Sequence, residues 1–341
     1  MKRHLIIQTA FIGDAVLTLP LVQVLKKVDV DASVDVLVIP RTAELFSTHP
    51  AVDRVLVFDK RGMDSGLAGL RRLVHLIAQR KYDIALIPHR SMRSALLAWS
   101  GRIPSRFGFD RSAGWLLMTQ TIRYEPSLHE VERNLSLLRP LGIHWAEKEL
   151  PSLFPTAADV QKVDQFLESS GLTKASALIG IAPGSVWKTK RWPRERFTEV
   201  VRNIVNDGLS AVLIGGKEDE QLCQEIKFGI VSNRVAISAG RLSVLQSAEL
   251  IRRCRVLVSN DSAPMHLAVA MRTPVLAIFG ATIPEFGFAP YGNHSVILET
   301  KGLSCRPCSV HGSQRCPIKT FDCMVNISTE VVFNRVREMV I

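Results

Sequence analysis

Long uncharged apolar runs are missing from this chain of 341 residues. A helix that crosses a bilayer needs about 18 to 20 consecutive apolar residues, so none is expected. The opening Met1-Lys2-Arg3-His4 followed by Leu5-Ile6-Ile7 has the look of a secretion signal. Gln8 and Asp14 interrupt it, however, and no small-residue cleavage site closes it. We read it as a first β-strand and expect a soluble, cytoplasmic protein. Aromatic residues are scarce as well, at 6%. That argues against a nucleic-acid-binding module, in which bases stack on aromatics interleaved with basic side chains. Two glycine signatures are also lacking. Thr9-Ala10-Phe11-Ile12-Gly13-Asp14 is not the Gly-x-Gly-x-x-Gly of a dinucleotide site. Gly215-Gly216-Lys217-Glu218 lacks both the upstream Gly and the Ser or Thr of a Walker loop. Low-complexity tracts and short internal repeats are absent too.

What is present is a long alternation of Val/Ile/Leu runs with helical patterns. In the first half the runs fall at His4–Thr9, Val34–Ile39, Arg54–Phe58, Asp83–Pro88 and Arg106–Phe109. Helical patterns fit Asp14–Lys27, Ser65–Arg80, Ser91–Ser100 and Leu128–Leu141. Continuous apolar runs are expected of strands buried on both faces of a parallel sheet. Pro151, Pro155 and the polar residues between Glu147 and Thr156 read as a linker. A second series follows, with strands at Leu178–Ala182, Ser210–Ile214, Arg234–Ser238, Arg255–Ser259 and Pro274–Phe279. Its helices fit Ala158–Ser169, Arg194–Asn206, Glu218–Phe228, Val244–Arg253 and Pro264–Met271. Each half is a βαβ array. The expected fold is therefore α/β, with two doubly wound Rossmann-like domains, 1–155 and 156–327, facing across a cleft. A final helix in 328–341 is expected to return to the first domain. Ligands of open parallel sheets bind at the carboxyl ends of the strands, so facing domains suit transfer of a group between two substrates.

The formal net charge is +11, and its placement is uneven. Between Lys60 and Arg111 there are 11 Lys or Arg against 3 Asp. Such a field draws anionic partners, although a solvated basic surface fits the same residues.

Four segments carry candidate chemistry, each on a strand-to-helix loop. Asp14, at the start of the first helix, is either an acid stabilised by the helix dipole or a base for a hydroxyl. In Pro183-Gly184-Ser185-Val186-Trp187-Lys188-Thr189-Lys190-Arg191-Trp192-Pro193, Ser185, Lys188 and Lys190 suit a diphosphate, or the segment is a basic surface loop held by two tryptophans. Glu218 can accept from a sugar hydroxyl or serve as a helix N-terminal acid. In Asn260-Asp261-Ser262-Ala263-Pro264-Met265-His266 a strand gives way to a helix capped by Ser262, a ready anion site. His266 lies one turn in, where a buried core histidine is the simpler reading.

Taken together, these residues resemble the bacterial ADP-heptose:lipopolysaccharide heptosyltransferases of glycosyltransferase family 9. The likeness rests on Gly13-Asp14 before a Leu-Thr-Leu-Pro helix, the Pro-Gly-Ser…Lys-x-Lys-Arg-Trp-Pro segment, Gly-Gly-x-Glu, and Asn-Asp-Ser-x-x-x-His before Pro-Val-Leu-Ala-Ile-Phe-Gly. His89-Arg90-Ser91-x-x-Ser94-Ala95-Leu96 makes the heptosyltransferase II branch the most similar. The resemblance implies a GT-B fold and transfer of heptose, with inversion, from ADP-heptose to the lipopolysaccharide inner core, heptose II onto heptose I. It implies Asp14 as general base, Lys190 at the diphosphate, Glu218 near the ribose, and Asp261, Ser262, Ala263 and His266 in the donor loop. Relatives often carry Gly at the position of Ala263. The acceptor would be anionic, through Kdo carboxylates and lipid A phosphates. Arg90, Arg93, Arg102, Arg106 and Arg111 are its candidate ligands, with transient contact at the cytoplasmic face of the inner membrane.

No catalytic metal is expected. Asp29-Val30-Asp31 could pass for a metal motif, but it sits at a helix exit. Cys305, Cys308, Cys316 and Cys323 form C-x2-C-x7-C-x6-C, which could hold a structural zinc away from the chemistry. A nucleotide-sugar epimerase on the same fold, or a non-enzymatic anion-binding or nucleic-acid-binding protein, are the competing classes.

Overall fold

The computed structural model describes residues 2–173, 177–292 and 294–340. The chain divides into two compact units, 1–154 and 155–341, one residue from the expected boundary.

In the first unit the strands are β1 (Arg3–Gln8), β2 (Ser33–Val38), β3 (Arg54–Val57), β4 (Ile84–Ile87), β5 (Ser105–Phe109) and β6 (Gln120–Ile122). Between and after them come α1 (Ile12–Val28), α2 (Glu44–Ser47), α3 (Gly66–Arg80), α4 (Met92–Ser100) and α5 (Glu130–Ser136). All strand pairs are parallel, in the order β3-β2-β1-β4-β5-β6.

The second unit opens with α6 (Ala157–Ser169). Its strands are β7 (Leu178–Ala182), β8 (Ser210–Leu213), β9 (Val235–Ile237), β10 (Val256–Asn260), β11 (Val275–Phe279) and β12 (Ser295–Glu299). The helices are α7 (Arg194–Asn206), α8 (Glu220–Phe228), α9 (Val244–Arg252), α10 (Ala263–Ala270), α11 (Asp322–Val325) and α12 (Thr329–Val340). The order is β12-β11-β10-β7-β8-β9, again all parallel. Counted from its own first strand, this is the order of the first sheet.

In such a sheet the chain winds outward in both directions from the centre. The helices after the two central strands therefore leave toward opposite faces, and a crevice opens between their loops. The central pair is β1 and β4 in the first unit, β7 and β10 in the second. The loops at these two switch points hold Asp14 and His89-Arg90 in one sheet, and Lys190 and Asp261-Ser262 in the other.

The central strands read as apolar runs because both faces are covered. Leu5, Ile6 and Ile7 are all buried, as are Val256, Leu257 and Val258. Helix α1 is buried from Ala15 to Leu25. It packs against β1, α2 and α5, which explains why it is apolar around its whole circumference.

Three expectations are corrected. Helix Leu128–Leu141 is shorter: α5 ends at Ser136, and a separate turn covers Arg139–Leu141 before Gly142 at φ 77°. The edge strands β6 and β12 were not anticipated. The final helix α12 packs within the second unit, against α7 and strands β10 and β11, burying Val332 and Val336 in that unit's core. Asp29 is the C-cap of α1, on the side of the sheet where β2 begins, as expected of a solvated turn.

Truncating Ile7 to Ala at the centre of the first sheet should destabilise the protein by about 2–5 kcal/mol. Urea unfolding followed by circular dichroism measures this, and a loss below about 1 kcal/mol would mean that this core relaxes around the cavity.

Candidate functional site

The second unit's switch point is assembled by one side chain, Asn260, the last residue of β10. Its carboxamide accepts the Trp192 N–H at 3.0 Å and donates to the Pro183 carbonyl at 2.8 Å. Both ends of the loop from β7 to α7 are thereby tied to β10, and Asn260 is fully buried. Trp192 is the loop's other anchor. Its indole N–H donates to Ile327 C=O at 3.1 Å, and its ring packs edge-on against Phe197 at 5.1 Å.

With the loop held this way, Lys190 Nζ meets Asp261 Oδ2 at 2.7 Å. The same oxygen accepts the Thr282 hydroxyl at 2.6 Å. The Lys190 and Ser262 loops are therefore in direct contact and can reach one ligand. Ser262 is the residue before α10, but its hydroxyl turns back to the Asn260 carbonyl at 3.3 Å and makes no cap hydrogen bond to the helix. The Lys190 ammonium, paired with Asp261, so lies beside a helix start that its N-cap side chain leaves free, and the free N–H groups there favour an anion.

The other donor candidates take varied places. Ser185 is buried, and its carbonyl accepts from Arg191 Nε at 2.7 Å. Lys188 and Glu218 are exposed, and Ala263 is half-buried. His266 is buried in the first turn of α10. Asp219, beside Glu218, went unnoticed in the sequence. Its carboxylate accepts the Gly216 N–H at 3.1 Å and lies against Gly184 so closely that a Cβ there would stand 2.1 Å from Asp219 Oδ1. Gly184 thus lets the two neighbouring loops approach.

The cysteine segment is not remote from this site, contrary to expectation. Thr189 N–H donates to Ser313 C=O at 3.0 Å, and Ser313 N–H returns to the Thr189 hydroxyl at 2.8 Å. Arg306 donates to the carbonyls of Thr282 and Gly280, and pairs with Glu299 at 2.7 Å. The segment straps both arms of the site. All six cysteines of the chain are free thiols. Among the described residues no group of three or more His, Cys, Asp or Glu side chains is arranged to hold a metal ion. Cys323 is drawn into the hydrophobic core with α11, while Cys305, Cys308 and Cys316 stay half-buried in the loop. Burial pushes the Cys323 thiol up to about 11.

In the first unit, the switch-point loops are joined by the Thr9 hydroxyl and His89 Nδ1 at 2.9 Å. Burial, with Lys60 and Arg90 adding to it, lowers His89 to about 4, so its imidazole is neutral at physiological pH. Lys60 Nζ donates to the Thr9 carbonyl at 3.2 Å. Asp14 stands in the first turn of α1, half-buried, with Oδ2 accepting the Phe11 N–H at 3.3 Å. This is the placement of a helix N-terminal acid, and it leaves the carboxylate at the carboxyl edge of the sheet.

The arginines divide. Arg90, Arg111 and Arg133 surround the Tyr124 ring, at 4.3, 6.0 and 4.8 Å from its centre. Arg93 lies over Phe58 at 5.9 Å. Arg106 is spent on structure: it donates to the carbonyls of Leu117, Ile103 and Pro104. Arg102 stands beyond the end of α4, just before β5 begins, at the opposite edge of the sheet from Arg90.

Glu130 also escaped the sequence reading. It pairs with Arg133 Nε at 2.9 Å and is buried where α5 packs on α1. Burial is the main reason that its carboxyl rises to about 7; Arg133 opposes the rise, and the charge of Asp14 adds to it. In sequence, Glu130 and Arg133 look like a surface i,i+3 pair.

A family model described as glycosyltransferase family 9 (heptosyltransferase) matches residues 70–318. Lipopolysaccharide heptosyltransferase 2 of Salmonella typhimurium is 29% identical over 292 residues, covering 83% of this chain and 84% of that protein. Lipopolysaccharide heptosyltransferase 3 of Escherichia coli is 27% identical, covering 84% and 85%. Among solved structures, a family 9 glycosyltransferase from Veillonella parvula superposes with a TM-score of 0.89 at 25% identity, covering 99% and 97%. The E. coli ADP-heptose heptosyltransferase II structure superposes at 0.82 with 22% identity, covering 100% and 98%. The paired Rossmann-like sheets are those of the GT-B class.

Two outcomes are expected. Asn260→Ala strands a buried N–H and a buried carbonyl, which should cost about 2–4 kcal/mol in urea unfolding; an unchanged midpoint would show the loop to be held by other contacts. For Glu130, the folded carboxyl titrates near 7 and the unfolded one near 4.5. The native state therefore holds the extra proton between these values, and stability falls as pH rises through that window. Relative to Glu130→Gln, the wild type should lose on the order of 3 kcal/mol between pH 4.5 and pH 7. Parallel stability-versus-pH curves for the two proteins would refute it.

Proposed function

Because the chain belongs to glycosyltransferase family 9, the heptosyltransferases, we propose that it moves L-glycero-D-manno-heptose from ADP-heptose onto the lipopolysaccharide inner core, heptose II onto heptose I, with inversion. The observation that carries this reading is the Lys190–Asp261 pair at 2.7 Å, which sets a cation beside the uncapped start of α10. The names of the heptosyltransferase 2 relatives support the choice of core position.

In this reading the second unit takes the donor. Lys190 and the backbone at Ser262–Ala263 meet the diphosphate, Asp261 holds the ammonium in place and faces the sugar, and Glu218 takes ribose hydroxyls. The first unit takes the acceptor. Asp14 accepts the proton of the attacking hydroxyl as its oxygen bonds to the anomeric carbon. The bond from that carbon to the β-phosphate oxygen breaks on the opposite face, and its electron pair leaves with ADP. A nucleoside diphosphate is a good leaving group, so cations and helix-end amides meeting its charge suffice. No step is assigned to a metal. Arg90, Arg93 and Arg111, with Lys60 and Arg133, supply positive charge for the acid groups of the acceptor.

Transfer from ADP-heptose to lipopolysaccharides truncated at defined core positions tests this. Turnover should require an acceptor ending in heptose I. Asp14→Asn should lower kcat by about 100-fold or more while ADP-heptose affinity holds. Lys190→Met should instead weaken donor binding. Product on an acceptor that lacks heptose I would overturn the core position, and undiminished turnover in Asp14→Asn would remove the base.

A further inference from the structure

The outer face of α4 is of the wrong polarity for water. Met92, Leu96 and Trp99 recur at the i, i+4, i+7 spacing of one helical stripe, the stripe opposite the buried Ser94, Leu97 and Ala98. Met92 is 51% and Trp99 53% exposed. The chain then adds to this face. The turn Trp115–Leu117 packs against α4, with Gly114 seated beside Met92 and Ala95. It carries Trp115 at 50% and Leu116 at 75% exposure. Four large apolar side chains so stand in the open on neighbouring elements.

The rim of this patch has one sign of charge. From Ile84 to Ile122 the chain carries five arginines and a single acid, Asp110, whose carboxylate is occupied by the Tyr124 N–H at 2.9 Å. Arg93 and Arg111 flank the patch at the carboxyl edge of the sheet, and Arg102 at the other end. Tryptophan, leucine and arginine on one exposed face is the composition that suits the boundary between acyl chains and headgroups. Two copies of the patch set face to face would bring their like-charged rims of Arg93, Arg102 and Arg111 together, which disfavours self-association.

We propose that the α4 face, with the Trp115–Leu117 turn, docks on an anionic lipid bilayer. The turn inserts Trp115 and Leu116 below the phosphates, and the arginines bind lipid phosphates around it. The patch is continuous with the cluster assigned to the acceptor: Ala113 N–H donates to the Arg90 carbonyl at 3.1 Å, and Arg90 and Arg111 share the Tyr124 ring. An acceptor anchored by its lipid would so present its sugar beside the docked surface. That consequence rests on the function proposed above, whereas the docking itself is measured without any transfer reaction.

The test is flotation of the full chain with vesicles of phosphatidylcholine alone or mixed with phosphatidylglycerol. Wild type should float with the mixed vesicles and stay behind with the neutral ones. Trp115→Ser combined with Leu116→Ser should lower partitioning about 10-fold or more, and Trp115→Phe alone should retain most of it. Thermal unfolding should match wild type, because both side chains are exposed, and turnover on a delipidated acceptor fragment should be unchanged. Equal flotation of the double variant and wild type would overturn the proposal, as would failure of wild type to float with either vesicle. A concentration-dependent dimer abolished by the double variant would overturn it in favour of a second copy on this face. A protein that floats as described yet transfers no heptose would leave the docking standing and remove the function.

Discussion

The second unit's chemistry depends on a single buried carboxamide. A doubly wound sheet leaves a crevice at its switch point, but the loops lining it come from distant parts of the chain and have no local reason to stay together. Asn260 supplies one. Its two hydrogen bonds reach Trp192 and Pro183, across separations of 68 and 77 residues. Each satisfies a buried backbone group that would otherwise cost free energy. Lys190 has its place because the loop is closed, and Asp261 follows Asn260 directly. The first sheet solves the same problem with a weaker pair, the Thr9 hydroxyl and His89, and a lysine on the Thr9 carbonyl.

The same topology serves two electrostatic purposes. In the second unit, one cation is matched to one carboxylate at the start of a helix. In the first, cations outnumber carboxylates, and three guanidinium groups gather around one aromatic ring. That gathering needs a counterweight, and Glu130 is placed to provide it beside Arg133. Its burial and the nearby Asp14 make ionisation costly, so the cluster's net charge changes close to neutral pH.

The segment from Gly302 to Phe321 shows how irregular chain becomes structural. It contains no helix or strand, yet Ser313 and Arg306 hydrogen-bond to both arms of the donor site. Its cysteines invited a metal reading because four fall within nineteen residues. Cys323 also belongs to the hydrophobic core of the second unit, beside Met324.

Sequence alone determined the alternating α/β order, the central strands and the loops that carry Asp14, Lys190 and Asp261. Strands buried on both faces must be apolar throughout, and loop residues at helix starts have distinctive chemistry. The short edge strand Gln120–Ile122 was illegible because it has no apolar run, whereas Ser295–Glu299 holds the legible run Val296-Ile297-Leu298. Only the tertiary structure decided that Glu130 is buried and Arg106 spent on carbonyls, that Asp219 braces Gly184, and that α12 closes the second core. Each of these depends on which surface packs against a residue, and a polar side chain has the same spelling whether it faces water or a neighbouring helix.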